Sequence, residues 1–147
     1  MSETAPETPL DLRNLTDKIG YMLRRAQLFV FEDVIRALGP LQLRPTQFSV
    51  LLLLRDNPGR SQSGIAGALG IQRPNSVALL AELQKRGLIL RKTSKADRRT
   101  YCLFLTGAGE TLLAEALAIV GRHDSRMADL LGEAGRGELL ELLARLA

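Results

Sequence analysis

Seven cations fall within the stretch from Lys85 to Arg99: Lys85, Arg86, Arg91, Lys92, Lys95, Arg98 and Arg99, opposed by one acid, Asp97. Guanidinium and ammonium groups gathered this way neutralise phosphates, and such clustering is the electrostatic footprint of a polyanion-binding surface. The same run on a solvated face would have no partner at all, so its meaning depends on what surrounds it. The residues for other chemistries are scarce. A single cysteine, Cys102, excludes an intrachain disulfide and any multi-cysteine metal site, and a lone histidine, His123, cannot build a histidine-based zinc site. There is no nucleophile elbow, phosphate loop or metal-ligand spacing, so catalysis has no candidate residues and no cofactor is implied.

The bulk properties agree with a binding protein. The chain has 147 residues, one domain's worth, with a net charge of +4. Hydrophobic residues make up 46% of it but aromatics only 4%, so the core must be built from Leu, Ala, Val and Ile. No apolar run approaches the roughly 20 residues of a membrane span, and the first residues lack the basic start and apolar stretch of a secretory signal. The expected location is the cytoplasm, with no membrane partner.

The elements that position the cations follow from periodicity and punctuation. Residues 1–9, polar and holding Pro6 and Pro9, read as a flexible arm. Residues 11–38 read as one long helix with two apolar sides. One side holds Leu15, Ile19, Met22, Leu23, Ala26, Phe29, Val30, Val34 and Leu38; the other holds Tyr21, Leu28, Phe31 and Ile35. A surface helix of a monomer needs one apolar stripe, so two sides imply a second burial partner, such as another copy of the chain. Gly39-Pro40 ends this helix and Pro45 opens the next. Asn57-Pro58-Gly59 is a turn, Ser61 caps a short helix, and Gly70 closes it. A third helix runs from about Arg73 to Arg86, with Val77, Leu80 and Leu83 expected inward. The period then changes: residues 88–93 and 100–105 are strand-like and flank the charged loop 94–99. Thr106 caps a long helix to about Leu131, and a last helix covers 138–146 with Leu139, Leu142, Leu143 and Leu146.

Helix, tight turn, helix and basic hairpin form the plan of a winged helix-turn-helix, a mainly α fold with a small β-hairpin wing. In that plan the second helix lies in the major groove of double-stranded DNA, while phosphate contacts supply most of the affinity. The sequence resembles the MarR family of regulators. The segments that carry the likeness are Leu43-Arg44-Pro45-Thr46-Gln47-Phe48, Ser61-Gln62-Ser63-Gly64-Ile65-Ala66 through Leu69-Gly70-Ile71, and Leu83-Gln84-Lys85-Arg86-Gly87-Leu88-Ile89. The most specific is Asp97-Arg98-Arg99, six residues before Leu105-Thr106 and a long helix.

The resemblance implies a single domain over residues 10–147, with 43–106 as the DNA-binding lobe and with 10–39 and 107–147 as dimerisation helices. It implies that Arg99 enters the minor groove beside Lys95 and Arg98, and that Asp97 holds Arg99 in a productive rotamer by a charge-assisted bond. The chain departs from the family pattern at Arg44, at Gly64, and at Ala78 and Leu79 on the recognition helix. Base reading is therefore assigned to Arg73, Asn75 and Ser76. An effector cavity between the lobes is implied, with Tyr21, Arg24, Arg25, Phe48 and His123 as lining. The implied function is a repressor released from a near-palindromic operator by a small aromatic carboxylate or its CoA thioester. The alternatives are a thiol-based redox regulator, for which Cys102 offers only a mid-strand position, and a winged-helix module that binds protein.

Overall fold

The computed structural model describes residues 9–132 and 134–147; of the expected arm, all but Pro9 lies outside the described residues. The first helical segment is interrupted. α1 (Arg13–Thr16) is separated from α2 (Ile19–Leu38) by Asp17 and an extended Lys18, at φ −104° and ψ 124°. The single long helix expected from periodicity is thus corrected: Asp17 and Gly20 are both poor helix formers, and no residue of α1 is buried to hold the junction straight.

A 3-10 turn, Gly39–Leu41, follows and ends on Gln42 in the left-handed region at φ 51°. α3 (Pro45–Asp56) begins with its proline at N1, where the missing N–H is not needed. Next come β1 (Arg60–Ser61), α4 (Gln62–Ala68) and α5 (Arg73–Lys85). β2 (Ile89–Thr93) and β3 (Tyr101–Leu105) form the expected hairpin, then α6 (Gly107–Leu131) and α7 (Gly135–Ala144) complete the chain. The hairpin is not alone. β1 adds antiparallel to β3, pairing Arg60 with Leu103 and Ser61 with Cys102, so the sheet order is β1-β3-β2. A two-residue strand leaves no periodic trace, which is why only the hairpin was legible.

The core lies where α2, α3, α5 and α6 meet the sheet. Leu38, Val50, Leu51, Leu54, Leu80, Leu83, Leu103, Leu113 and Ala116 are almost wholly enclosed. Each such large aliphatic side chain contributes about 1.5–3 kcal/mol on burial. α6 is capped by Thr106, whose Oγ1 accepts from the Gly109 N–H at 3.0 Å and donates to the Gly87 carbonyl at 2.6 Å. This brings the first turn of α6 hard against the root of the wing. A Cβ on Gly109 would sit 2.1 Å from the Leu88 carbonyl oxygen, so only glycine fits.

Much apolar surface remains uncovered. On α2 only Val34 and Leu38 are buried, while Ile19, Met22, Leu23, Leu28, Phe29, Phe31 and Ile35 are exposed. Leu130, Leu131, Leu139, Leu142 and Leu146 are exposed at the other end of the chain. Apart from Val34 and Leu38 at its C-terminal end, both apolar sides of the first long helix are therefore largely uncovered in one protomer. Among the described residues no helix is long and apolar enough to cross a membrane.

Candidate nucleic-acid interface

The pair α4 and α5 is built by local chemistry. Ser61 caps α4, its Oγ accepting from the Gly64 N–H at 3.2 Å, so Gly64 does not prevent the cap. Gly70, at φ 62°, reverses the chain, and the Ile71 N–H bonds the Ala66 carbonyl at 2.9 Å. α5 then starts at Arg73 with Pro74 in its first turn.

The inward stripe of α5 is Ser76, Leu79, Leu80 and Leu83. Two sequence assignments are corrected by this phase. Val77, expected inward, is 46% exposed. Ser76, assigned to base reading, is buried, and its hydroxyl donates to the Arg73 carbonyl at 2.8 Å. That back-bond is what allows a polar side chain in the core face. The outward face carries Arg73, Asn75, Val77, Ala78 and Glu82.

The wing is set by the β2–β3 register, from Ile89 opposite Leu105 to Thr93 opposite Tyr101. At its tip the Ser94 N–H bonds the Thr100 carbonyl at 2.8 Å. Asp97 shapes the loop with both oxygens: Oδ1 accepts from the Arg99 backbone N–H at 2.9 Å and Oδ2 from the Thr100 hydroxyl at 3.0 Å. The expected bond from Asp97 to the Arg99 side chain is therefore corrected. Two residues of separation favour the backbone N–H, in an Asx-type turn, and the guanidinium is left outward. Lys95, Arg98 and Arg99 are exposed, and among the described residues none of them makes an ion pair.

Not every cation of the run shares that freedom. Arg86 donates to the carbonyls of Gln42 at 2.7 Å and Leu41 at 3.1 Å, bracing the left-handed turn before α3. Arg91 lies over Tyr101 at 5.4 Å and Lys92 over Phe104 at 5.1 Å from the ring centroids. Such exposed cation–π contacts are worth about 0.5–1 kcal/mol. Arg73, Arg91 and Arg99 converge with Ser61, Ser63 and Tyr101 around a cleft of about 560 Å3 between the start of α5 and the wing. Cys102 is half-buried on β3, opposite Ser61 and Lys92.

The five residues assigned to an effector cavity do not come together. Arg24 and Arg25 line an open groove of about 890 Å3 on α2, with Leu28, Phe31, Ile35 and Arg36. Tyr21 is half-buried one turn before Arg24 and Arg25, outside the groove lining, and Phe48 packs against the core. His123 is buried on α6, where its Nδ1 meets Asp33 Oδ2 at 2.6 Å; Arg126 donates to the same oxygen at 2.6 Å. These two hydrogen bonds, that from His123 first, hold the Asp33 carboxyl below the usual aspartate range. His123, assigned to the cavity from sequence, ties α6 to α2 through its ring. Asp33 and Glu82 were missed because each meets its partner across a long sequence separation, 90 residues for Asp33 with His123 and 38 for Glu82 with Arg44.

Comparison with known proteins agrees with this architecture. Residues 41–100 match the sequence profile of the MarR family. A Thauera aromatica protein described as transcriptional regulatory for the hcr operon is 36% identical over 134 residues, covering 90% of this chain and 81% of that protein. The transcriptional repressor CouR, solved bound to a 23-mer DNA duplex, is 49% identical with a TM-score of 0.91, covering 95% of this chain and 99% of that one. CouR solved bound to p-coumaroyl-CoA is 47% identical with a TM-score of 0.86, covering 94% and 97%. With a winged helix-turn-helix, a free cationic wing and relatives matched over nearly their whole length, the chain belongs to the MarR family of transcriptional regulators.

Proposed function

We propose that this protein is a dimeric repressor that binds a near-palindromic DNA site and is released by an aromatic-acid CoA thioester of the p-coumaroyl-CoA kind. The observation that carries the DNA half is the single face formed by the outward side of α5 and the wing. There Arg73, Arg91 and Arg99 converge, and Lys95, Arg98 and Arg99 lack acidic partners among the described residues. A helix in the major groove with a cationic loop beside it places base-reading groups, here Arg73 and Asn75, next to phosphate contacts. Residues 43–106 supply this lobe.

Residues 10–39 and 107–147 supply the dimer, supported by the exposed Ile19, Met22, Leu23 and Phe29 of α2 and Leu139 and Leu142 of α7. Two copies present two recognition helices, so the preferred site has a dyad, with half-sites about one helical turn apart. The effector half is supported by the likeness to CouR bound to p-coumaroyl-CoA. The groove on α2 adds to it, since Leu28, Phe31 and Ile35 suit an apolar acyl group and Arg24 and Arg25 suit phosphates, while Arg36 is paired with Glu32 at 3.1 Å. The protein acts by binding, and its residues carry no catalytic role. The effector works through a difference in affinity between DNA-competent and DNA-incompetent arrangements.

The test is a titration of the protein onto a duplex that it selects from a randomised library, with and without p-coumaroyl-CoA. The expected result is a dimer by light scattering, a selected site with a dyad, and binding weakened by an amount equivalent to about 1–3 kcal/mol of coupling. A monomeric protein, or a duplex complex indifferent to every acyl-CoA in a panel, overturns the corresponding half.

A further inference from the structure

The wing occupies one flank of α5; the other flank holds a charge that nothing above explains. Arg44 precedes α3, and its Nη2 pairs with Glu82 Oε2 on α5. Gln47 reinforces the link, since its Nε2 donates to the same Glu82 oxygen at 3.0 Å while its Oε1 accepts from the Arg44 backbone N–H at 2.9 Å. Gln47 is 3% exposed, so this bracket is anchored in the core. Arg44 itself keeps 58% of its side chain in solvent. Asn75, Ala78 and Glu82 are spaced three and four residues apart, forming one stripe along α5. With Arg44 and Thr46 that stripe lines an open cavity of about 390 Å3.

A helix seated in the major groove, about 12 Å wide, has a row of phosphates on each side. The wing-side cleft lies toward one row, and Arg44, beside Ala78 and Glu82, lies toward the other. We propose that Arg44 is a DNA-phosphate contact on the flank of α5 opposite the wing, with Glu82 and Gln47 as the positioning residues that aim it. Glu82 engages one end of the planar guanidinium, which leaves further N–H groups of the fork for a phosphate oxygen. Gln47 stops the carboxylate from swinging away. The bracket also ties α5 to the start of α3, so the contact and the recognition helix share one rigid frame. The inference rests on the DNA-binding reading proposed above.

The probe is the duplex selected by the wild-type protein, titrated by fluorescence anisotropy between about 50 and 200 mM salt. Each neutralised phosphate contributes about 0.9 to the salt slope, so Arg44→Ala should lower it by about 1.8 for two protomers. Affinity should fall roughly tenfold, with an unchanged ranking of single-base variants of the duplex. Arg44→Lys should restore the slope, and Arg44→Gln is a second neutral variant should the alanine protein fold poorly. The deciding variant is Arg44→Ala combined with Glu82→Ala, which keeps the wild-type net charge. If Arg44 touches phosphate, the slope stays low in this double variant. A return to the wild-type slope would mean that only net charge counted. An unaltered slope with a changed base ranking in Arg44→Ala would mean that the bracket only places α5. Either result overturns the inference while leaving DNA binding intact. A wild-type protein that selects no duplex overturns both readings together.

Discussion

Two aspartates show how one residue type is put to opposite uses. Asp33, on α2 facing α6, takes hydrogen bonds from two side chains, His123 and Arg126, and so ties both into the scaffold. Asp97, in the wing, takes one backbone N–H and one hydroxyl, and leaves the neighbouring arginine side chains alone. The first arrangement fastens two helices. The second shapes a loop while keeping its positive charge available. Arg86, which donates to two carbonyls only a few residues before the wing, is likewise turned to the scaffold.

The largest effect is expected where the two regions join. Gly109→Ala drives a methyl into the Leu88 carbonyl, and an overpacked backbone contact of that kind costs about 3 kcal/mol. Chemical denaturation should show the loss in scaffold and wing together. An unchanged midpoint would mean that the two regions are less tightly coupled than the contact implies.

Next is Arg99→Ala, which removes a charge that supports no core. DNA affinity should fall by about 1–3 kcal/mol, with melting unchanged and a salt slope shallower by about 0.9 per protomer. Loss of stability in this variant would mean that the wing arginine has a structural partner after all.

Asp33 should reveal itself through pH. Its carboxyl is held below the usual aspartate range by the hydrogen bond from His123 and then that from Arg126. A depressed acid contributes stability above its unfolded value, near pH 4, and loses it as pH falls through the lower folded value. The stability margin of wild type over Asp33→Asn should therefore be full at neutral pH and shrink below about pH 4. A margin that is constant with pH would remove charge from the account of this site.

The smallest effect separates shape from charge at the wing. Asp97→Asn keeps an oxygen for the Arg99 N–H, so DNA binding should stay within about 0.5 kcal/mol of wild type. Asp97→Ala loses both loop bonds and should bind more weakly, although it removes a negative charge from a DNA-facing loop. If the asparagine variant binds as weakly as the alanine one, the carboxylate charge matters and not the loop it folds.

The local grammar of this protein is carried by its sequence. Pro45, Ser61, Gly70 and Thr106 mark helix ends by their own backbone and capping preferences, each set within four residues of itself, although the Thr106 hydroxyl also reaches the Gly87 carbonyl. The hairpin was legible from its change of period, and the exposed sides of α2 from having more apolar residues than one stripe can hold. What the sequence left open needed tertiary packing. The phase of α5, which buries Ser76 and exposes Val77, depends on which side meets the core. Asp33 finds His123, Glu82 finds Arg44, and Arg86 finds Leu41 and Gln42, all through contacts between segments far apart in the chain. Capping and periodicity encode backbone angles and neighbours one turn away. Which of many chemically equivalent arginines stays free is decided by the partners that folding brings within hydrogen-bond reach, and no local pattern carries that distance.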